Sequence, residues 1–356
     1  MKLFSKHITI PFFGLLLAAC GTTLQTQQVT TEEMAAEVAK QKEIALLDRY
    51  QLAHRMQNIG YRVLAASVPL CGERMRPALG LSYWSRETFP AKFRDAAAAA
   101  FGVNKGVQVA RVAEGSPAQS AGLRVGDALI KVGGHEVGPG KDGVADLTTY
   151  LDKNLTDAPM ALVYARGERV LTSTLQAESA CDYPVLYDDD AMINAFADGK
   201  RIVLMRGIIE FSRSDGEIAL IVGHELAHNV LNHIQKKTTQ VTVGILGGLV
   251  LDALVGTSGE FADLGSRIGA QAYSPAYESE ADYMGLYATA RAGYDIKQAP
   301  FFWRRMGARN TGSIEMTSTH PPTAERFVAL EKTVKEIEAK IAAGEPLIPE
   351  EKKDAK

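Results

Sequence analysis

The run Val222-Gly223-His224-Glu225-Leu226-Ala227-His228 places two imidazoles four residues apart with a carboxylate between them. On a helix, four residues at about 100° each return His224 and His228 to one face, where both ring nitrogens can reach a single tetrahedral Zn²⁺. Glu225 lies beside them, placed to act as a general base. So short a run also arises as two unrelated surface or core histidines, so a third ligand has to be found elsewhere.

The helix carrying the pair is well signalled. Ser214 and Glu217 form an S-x-x-E capping box ahead of the apolar residues Ile218, Leu220, Ile221, Val222 and Leu226. Downstream, Ser274 reads as an N-cap with Pro275 at the first helical position, which opens a second helix bearing Glu278 and Asp282. Those two share a face, and they suit a metal-ligating carboxylate and a carboxylate that orients a ligand histidine. Glu280 is turned about 200° away and reads as solvent-facing. His233 lies about 180° around the helix from His224 and is expected not to ligate the same metal. His54 and His135 have no partner at ligand spacing and read as structural or surface residues.

Taken in order, Ile193 to Ala197, Gly207-Ile208-Ile209, His224 to His228, Glu278 to Asp282 and His320-Pro321-Pro322-Thr323-Ala324-Glu325-Arg326 resemble the CAAX-prenyl-protease and HtpX-like zinc metallopeptidases. The resemblance spans roughly residues 183–333 and points to the periplasmic lipoprotein, BepA-like branch. It implies a mainly helical zincin-type domain with a small sheet, holding one Zn²⁺ per chain on His224, His228 and Glu278. Glu225 is then the general base and Asp282 the partner of a ligand histidine. His320 is counted with the catalytic residues, either in a fourth zinc position that keeps the enzyme latent or as a stabiliser of the transition state. The substrate strand is expected beside an edge strand at Val203-Leu204-Met205-Arg206.

The chain has 356 residues, 46% of them apolar, which is more than one core usually holds. A formal net charge of −3, with no Lys/Arg-rich block, leaves no electrostatic case for nucleic acid. A membrane link comes from the N-terminus instead. Positive charge at Lys2 and Lys6, an apolar stretch from Ile8 to Ala19, and Leu17-Ala18-Ala19-Cys20 resemble a bacterial lipoprotein signal peptide. The stretch is shorter than the about 20 residues a span needs. The resemblance implies a lipidated Cys20 and a periplasm-facing protein, with Gly21 favouring the outer membrane. Val241 to Gly256 is apolar and glycine-rich but short and interrupted by Asp252, so it reads as a buried or cleft segment, a membrane-dipping element or a lid.

Cys71 and Cys181 then remain as an even pair in a disulfide-permissive compartment, and a bond between them would staple the two ends of an inserted domain; two separate buried thiols are the alternative. Between them, the strand pattern Gly106 to Val112, the run Ser116-Pro117-Ala118-Gln119-Ser120-Ala121-Gly122-Leu123, Gly126-Asp127 and the turn Gly133-Gly134 are similar to a PDZ domain of bacterial proteases. Such a domain takes extended peptides by strand addition, with Leu79-Gly80-Leu81 as the candidate loop for a C-terminal carboxylate. An ordinary loop into a first strand fits those residues too. Gly138-Pro139-Gly140-Lys141 lacks phosphate-loop spacing and reads as a turn.

The expected organisation is α+β: a signal peptide over 1–19, a lipidated and helical segment over 20–70, a PDZ domain over 77–178, a metallopeptidase domain over 181–335 and a charged tail over 336–356. The helical segment is expected to cap the catalytic domain or hold it off the membrane. The expected function is zinc-dependent cleavage of unfolded or extended envelope polypeptides, with C-terminal peptides captured at the PDZ domain. The alternative is a latent protease acting as a chaperone or peptide-binding module.

Overall fold

The computed structural model describes residues 27–239, 273–309 and 324–351. Cys20, the run Val241 to Gly256 and His320 lie outside the described residues.

Helix α1 (Thr31–Ala66) opens with a reciprocal cap, in which Thr30 Oγ1 accepts from Glu33 N and the Glu33 carboxylate accepts from Thr30 N. Its first half is largely exposed, whereas Met56, Ile59, Val63 and Leu64 are buried in the core of the C-terminal domain. The second half of α1 therefore belongs to the C-terminal helical body.

Strand β1 (Met75–Ala78) pairs antiparallel with β8 (Glu178–Cys181), with Met75 opposite Cys181. The two ends of the inserted segment thus run side by side as a neck. Cys71 and Cys181 are disulfide-bonded across it, their Cα atoms 5.7 Å apart.

Beyond the neck lies a sheet in the order β2 (Leu81–Trp84), β3 (Gln108–Val112), β4 (Ala128–Val132), β6 (Met160–Arg166) and β7 (Arg169–Leu175), with β5 (His135–Glu136) hairpinned onto β4. Helix α2 (Arg94–Phe101) follows β2, and the short α3 (Pro117–Ser120) is capped by Ser116 Oγ. Helix α4 (Gly140–Asn154) buries Leu147 in a core with Val109, Leu129 and Leu162. The Gly-Asp pair before β4 has a structural purpose: Asp127 is 2% exposed and accepts two hydrogen bonds from Arg166, of 2.8 and 2.7 Å. Such a fork-to-carboxylate pair locks β4 against β6.

After the neck, β9 (Val185–Asp188), β10 (Ala195–Ala197) and β11 (Ile202–Met205) form a second sheet in the order β10-β11-β9, with β11 parallel to β9 and antiparallel to β10. Helix α5 (Arg206–Phe211) continues from β11, and α6 (Asp215–Val230) carries the two histidines. α7 (Pro275–Arg291), α8 (Ala299–Arg309) and α9 (Ala324–Ala343) complete the helical body. The stretch expected as a tail from 336 begins as the end of α9: Ile337 is fully buried, and Tyr283 and Tyr287 both donate to the Glu336 carboxylate. Among the described residues, no helix is long and apolar enough to cross a membrane.

Candidate active site

Both site helices begin as their caps dictate. Ser214 Oγ accepts from Glu217 N at 3.3 Å, and Ser274 Oγ accepts from Tyr277 N at 3.2 Å. The other half of the expected α6 capping box is redirected. The Glu217 carboxylate accepts from Arg213 N at 2.7 Å and from both terminal nitrogens of Arg305 at 2.9 and 2.7 Å, which ties α8 to α6. Burial alone would raise the Glu217 carboxyl, but Arg305 and the Arg213 amide hold it below the ordinary value.

α6 and α7 cross at a pair of glycines. A Cβ on Gly223 would lie 2.5 Å from Gly285 O, and one on Gly285 would lie 2.8 Å from His224 N. Only two residues without side chains allow so close an approach. The crossing brings Glu278 and Asp282, about two turns and one turn before Gly285, against His224.

There, His224 Nε2 and His228 Nε2 are 3.1 Å apart, with Glu278 Oε2 3.5 Å from the first and Glu278 Oε1 3.4 Å from the second. All three residues are fully buried. These separations bracket the about 3.4 Å edge of a tetrahedron whose N and O donors lie about 2.0–2.1 Å from its centre. Two imidazole nitrogens and one carboxylate oxygen, converging from fully buried residues, fit a divalent metal ion.

The back of each imidazole is held as well. His224 Nδ1 faces Asp282 Oδ1 at 3.1 Å, and Arg326 of α9 grips both oxygens of Asp282 at 2.7 and 2.8 Å while its third nitrogen reaches Glu278 Oε2 at 2.9 Å. Burial would lower the His224 pKa, but Asp282 and Glu278 raise it to about 9, so a metal must displace a proton there. Burial would likewise raise the Asp282 carboxyl, which Arg326 and His224 instead hold below the usual range.

His228 is backed by His233, their Nδ1 atoms 3.0 Å apart, and His233 Nε2 is 3.2 Å from Glu280 Oε2. With Nε2 of His228 facing the metal, its Nδ1–H donates to His233, whose Nε2–H donates to Glu280. This corrects two expectations. His233 is not a metal ligand, but neither is it on the far side of the helix: α6 ends at Val230, and Asn232 at φ 56° resets the phase before a new helical stretch over 233–239. Glu280 is half-exposed, yet its carboxylate holds a buried imidazole.

Glu225 is buried on the same helix, 2% exposed, and its charge acts on Tyr273 and Arg326. Tyr273 stacks on His228 at 4.0 Å between ring centroids, and Trp303 of α8 lies 4.9 Å from His224. Neither ring is recognisable from sequence, since each arrives from another element without a motif.

The expected substrate edge also needs correction. Val203 to Met205 belong to β11, the centre of its sheet, because β9 pairs with it in parallel on the side away from β10. β10, Ala195–Ala197, is the edge that packs on α6, held there by Asn229, which bonds Gly199 N at 2.7 Å and Arg201 O at 3.1 Å. In the other domain, Leu79-Gly80-Leu81 forms the turn between β1 and β2, with Gly80 at φ +63°. His54 sits near Asn58, and His135 pairs with Asp146 at 2.7 Å, both away from the metal-type cluster.

Fold and site together define a helical body with a buried His-His-Glu group able to hold a metal ion, joined to a PDZ domain. Residues 163–334 match the model of peptidase family M48, and residues 108–166 match that of the PDZ domain. Over residues 163–334 the chain is thus similar to the M48 peptidases. Among its relatives, the mitochondrial metalloendopeptidase OMA1 of Arabidopsis thaliana is 32% identical over 40% of this chain and 30% of its own. The beta-barrel assembly-enhancing protease of Escherichia coli strain K12 is 26% identical over 45% of this chain and 36% of its own. The chain thus spans about a third of the length of these relatives. The crystal structure of the HtrA3 PDZ domain bound to a phage-derived ligand is 24% identical over 30% of this chain and 88% of that one, at a TM-score of 0.22.

Proposed function

We propose that the protein is a zinc-dependent endopeptidase, lipid-anchored through Cys20 to the outer membrane and facing the periplasm. It would act on unfolded or unassembled envelope polypeptides, with the PDZ domain selecting or gating them. The observation that carries the reading is the buried convergence of His224, His228 and Glu278, whose ligating atoms lie within 4.8 Å of one another. Bound there, zinc would supply Lewis acidity to a water and to the scissile carbonyl. Asp282 and His233 hold the two imidazoles in the tautomers that turn Nε2 towards the metal. Glu225 takes the proton of the attacking water and returns it to the leaving amine. An extended substrate would lie along β10 through backbone hydrogen bonds, which favours broad specificity. His320 is assigned to the same site, as a fourth ligand or as a stabiliser of the transition state.

The test is cleavage of an unfolded outer-membrane protein by the purified zinc-loaded chain lacking its lipid. Glu225→Gln is expected to lower the rate by about 10²–10⁴-fold while metal content stays unchanged. Cleavage at the wild-type rate by Glu225→Gln refutes the mechanism. Absence of cleavage by the zinc-loaded wild type and by His320→Ala alike favours the peptide-binding module.

A further inference from the structure

The helical stretch over 233–239 and the start of α7 build two parallel stacks beside the His-His-Glu cluster. In one, Tyr273 lies against His228 with ring centroids 4.0 Å apart and planes at 24°, and Lys237 Nζ is over the Tyr273 ring at 5.0 Å. In the other, Tyr277 lies against His233 at 4.5 Å and 14°, and Lys236 Nζ is over its ring at 5.9 Å. With an imidazole on one face of each phenol, each ammonium takes the other.

The two lysines are not equivalent. Lys236 is exposed, and its charge and that of Glu280 both act on His233, so a carboxylate already shares its surroundings. Lys237 is half-buried, which lowers its pKa, and the carboxylate that acts on it is Glu278, already committed to the metal position and to Arg326. Neither ammonium has a hydrogen bond or ion pair among the described residues. A lysine stem ordinarily carries its head out into water, and a phenol face occupies none of the three N–H donors as a carboxylate would. Lys237 therefore holds a partly desolvated positive charge beside the site with its donors unspent.

Its position says where a partner would come from. Tyr273 is 9% exposed, and the Glu225 charge acts on it, so the ring flanks the general base. The two stacking separations put the Lys237 ammonium no further than about 9 Å from the centre of the His228 ring, the reach of about three residues of extended chain at about 3.3 Å each. A chain with its scissile carbonyl beside Glu225 can thus carry a nearby side chain past Tyr273 to Lys237.

We propose that Lys237 is a specificity-determining residue that receives an acidic side chain of the substrate, about two or three residues from the scissile bond, with the Tyr273 ring as the wall between them and the metal position. The charge pair adds a preference to recognition through the backbone and does not replace it. The inference rests on the reading of the chain as an endopeptidase.

The experiment uses the zinc-loaded mature chain without its lipid and unstructured peptides of one sequence. A single Asp is moved residue by residue along both sides of the cleaved bond, each Asp peptide being paired with its Asn counterpart. Cleavage is read as separate KM and kcat values, and binding as fluorescence anisotropy on the Glu225→Gln chain. At one position the Asp peptide is expected to show a KM and a Kd at least fivefold lower than its Asn partner, with kcat within twofold and the preference shrinking as salt is raised. Lys237→Met should bring the Asp peptide to the KM of the Asn peptide, Lys237→Arg should keep most of the preference, and Lys237→Glu should turn it towards a Lys peptide. Lys236→Met should leave the preference in place. Equal KM and equal binding of Asp and Asn peptides at every position overturn the proposal and spare the endopeptidase reading. Failure to cleave any peptide overturns that reading and the proposal with it. Zinc affinity, read by chelator competition, should stay at the wild-type value in Lys237→Met. A loss of zinc affinity together with an equal fall of kcat on Asp and Asn peptides would make Lys237 a clamp on Tyr273 and refute its assignment to the substrate.

Discussion

Replacing Gly285 by alanine tests whether the helix crossing sets the metal-donor spacing. The new Cβ would sit 2.8 Å from His224 N and 2.9 Å from both Gly223 C and His224 Cα, all backbone atoms that no rotamer change can move. Ordinary carbon contacts lie at about 3.5–4.0 Å, so α6 and α7 must part by about 0.7 Å or more. His224 and Glu278 sit on opposite sides of that crossing, and a metal site tolerates distance errors of about 0.2 Å. Overpacking costs about 1–3 kcal/mol, which the better helix propensity of alanine offsets by about 1 kcal/mol. The metal-free variant should therefore lose about 0–2 kcal/mol, whereas its zinc affinity should fall by about tenfold or more. Competition against a chelating dye reads the affinity. Thermal unfolding with and without metal reads the linkage, worth about 2.7 kcal/mol at a hundredfold excess over Kd. A variant that binds zinc as tightly as wild type would refute the reasoning, whatever its stability.

The remaining predictions concern groups behind the site. His233→Ala should lower metal affinity by about 10–100-fold although every proposed ligand remains, and Glu280→Gln should do so less severely; unchanged chelator competition for both would remove the relay from the account. The Glu217 carboxyl is held below its unfolded value, so the stability it contributes is present above the ordinary glutamate pKa and lost as pH falls through the lower folded one. Glu217→Gln should therefore unfold more easily at neutral pH and lose less stability on acidification. An acid limb as steep as that of the wild type would contradict this.

The parts of the site that were legible in sequence obey helical periodicity. His224, His228, Glu278 and Asp282 are spaced by whole turns on helices whose caps, Ser214 and Ser274, are themselves in the sequence. The period of α6 does not carry to His233, because the helix ends at Val230 and nothing local announces that Asn232 adopts a left-handed conformation. The sheet edge was misread for a different reason. Parallel pairing of β9 with β11 is non-local, so a hydrophobic stretch such as Ile202 to Leu204 does not reveal whether it is central. Arg305 was invisible for a third: its partner Glu217 had a plausible local use in the capping box and found a stronger one in α8.

α7 explains why the site tolerates so little change. Glu278, Glu280 and Asp282 occupy just over one turn, and each serves a different atom: the metal position, His228 by way of His233, and the back of His224. A rotation or slide of α7 would disturb all three together, and the glycine crossing opposes exactly those motions only from one side. Arg326 opposes them from the other, since it holds Glu278 and Asp282 at once while α9 is anchored by Leu330 and Ile337 in the core. The two imidazoles are nonetheless backed unequally. His224 faces a buried carboxylate neutralised by a buried guanidinium, while His228 faces a neutral ring whose own partner is half-exposed. The arm through His228, reaching solvent at Glu280 and resting on a helical stretch reset at Asn232, is therefore the one along which the donor set can yield without breaking the core.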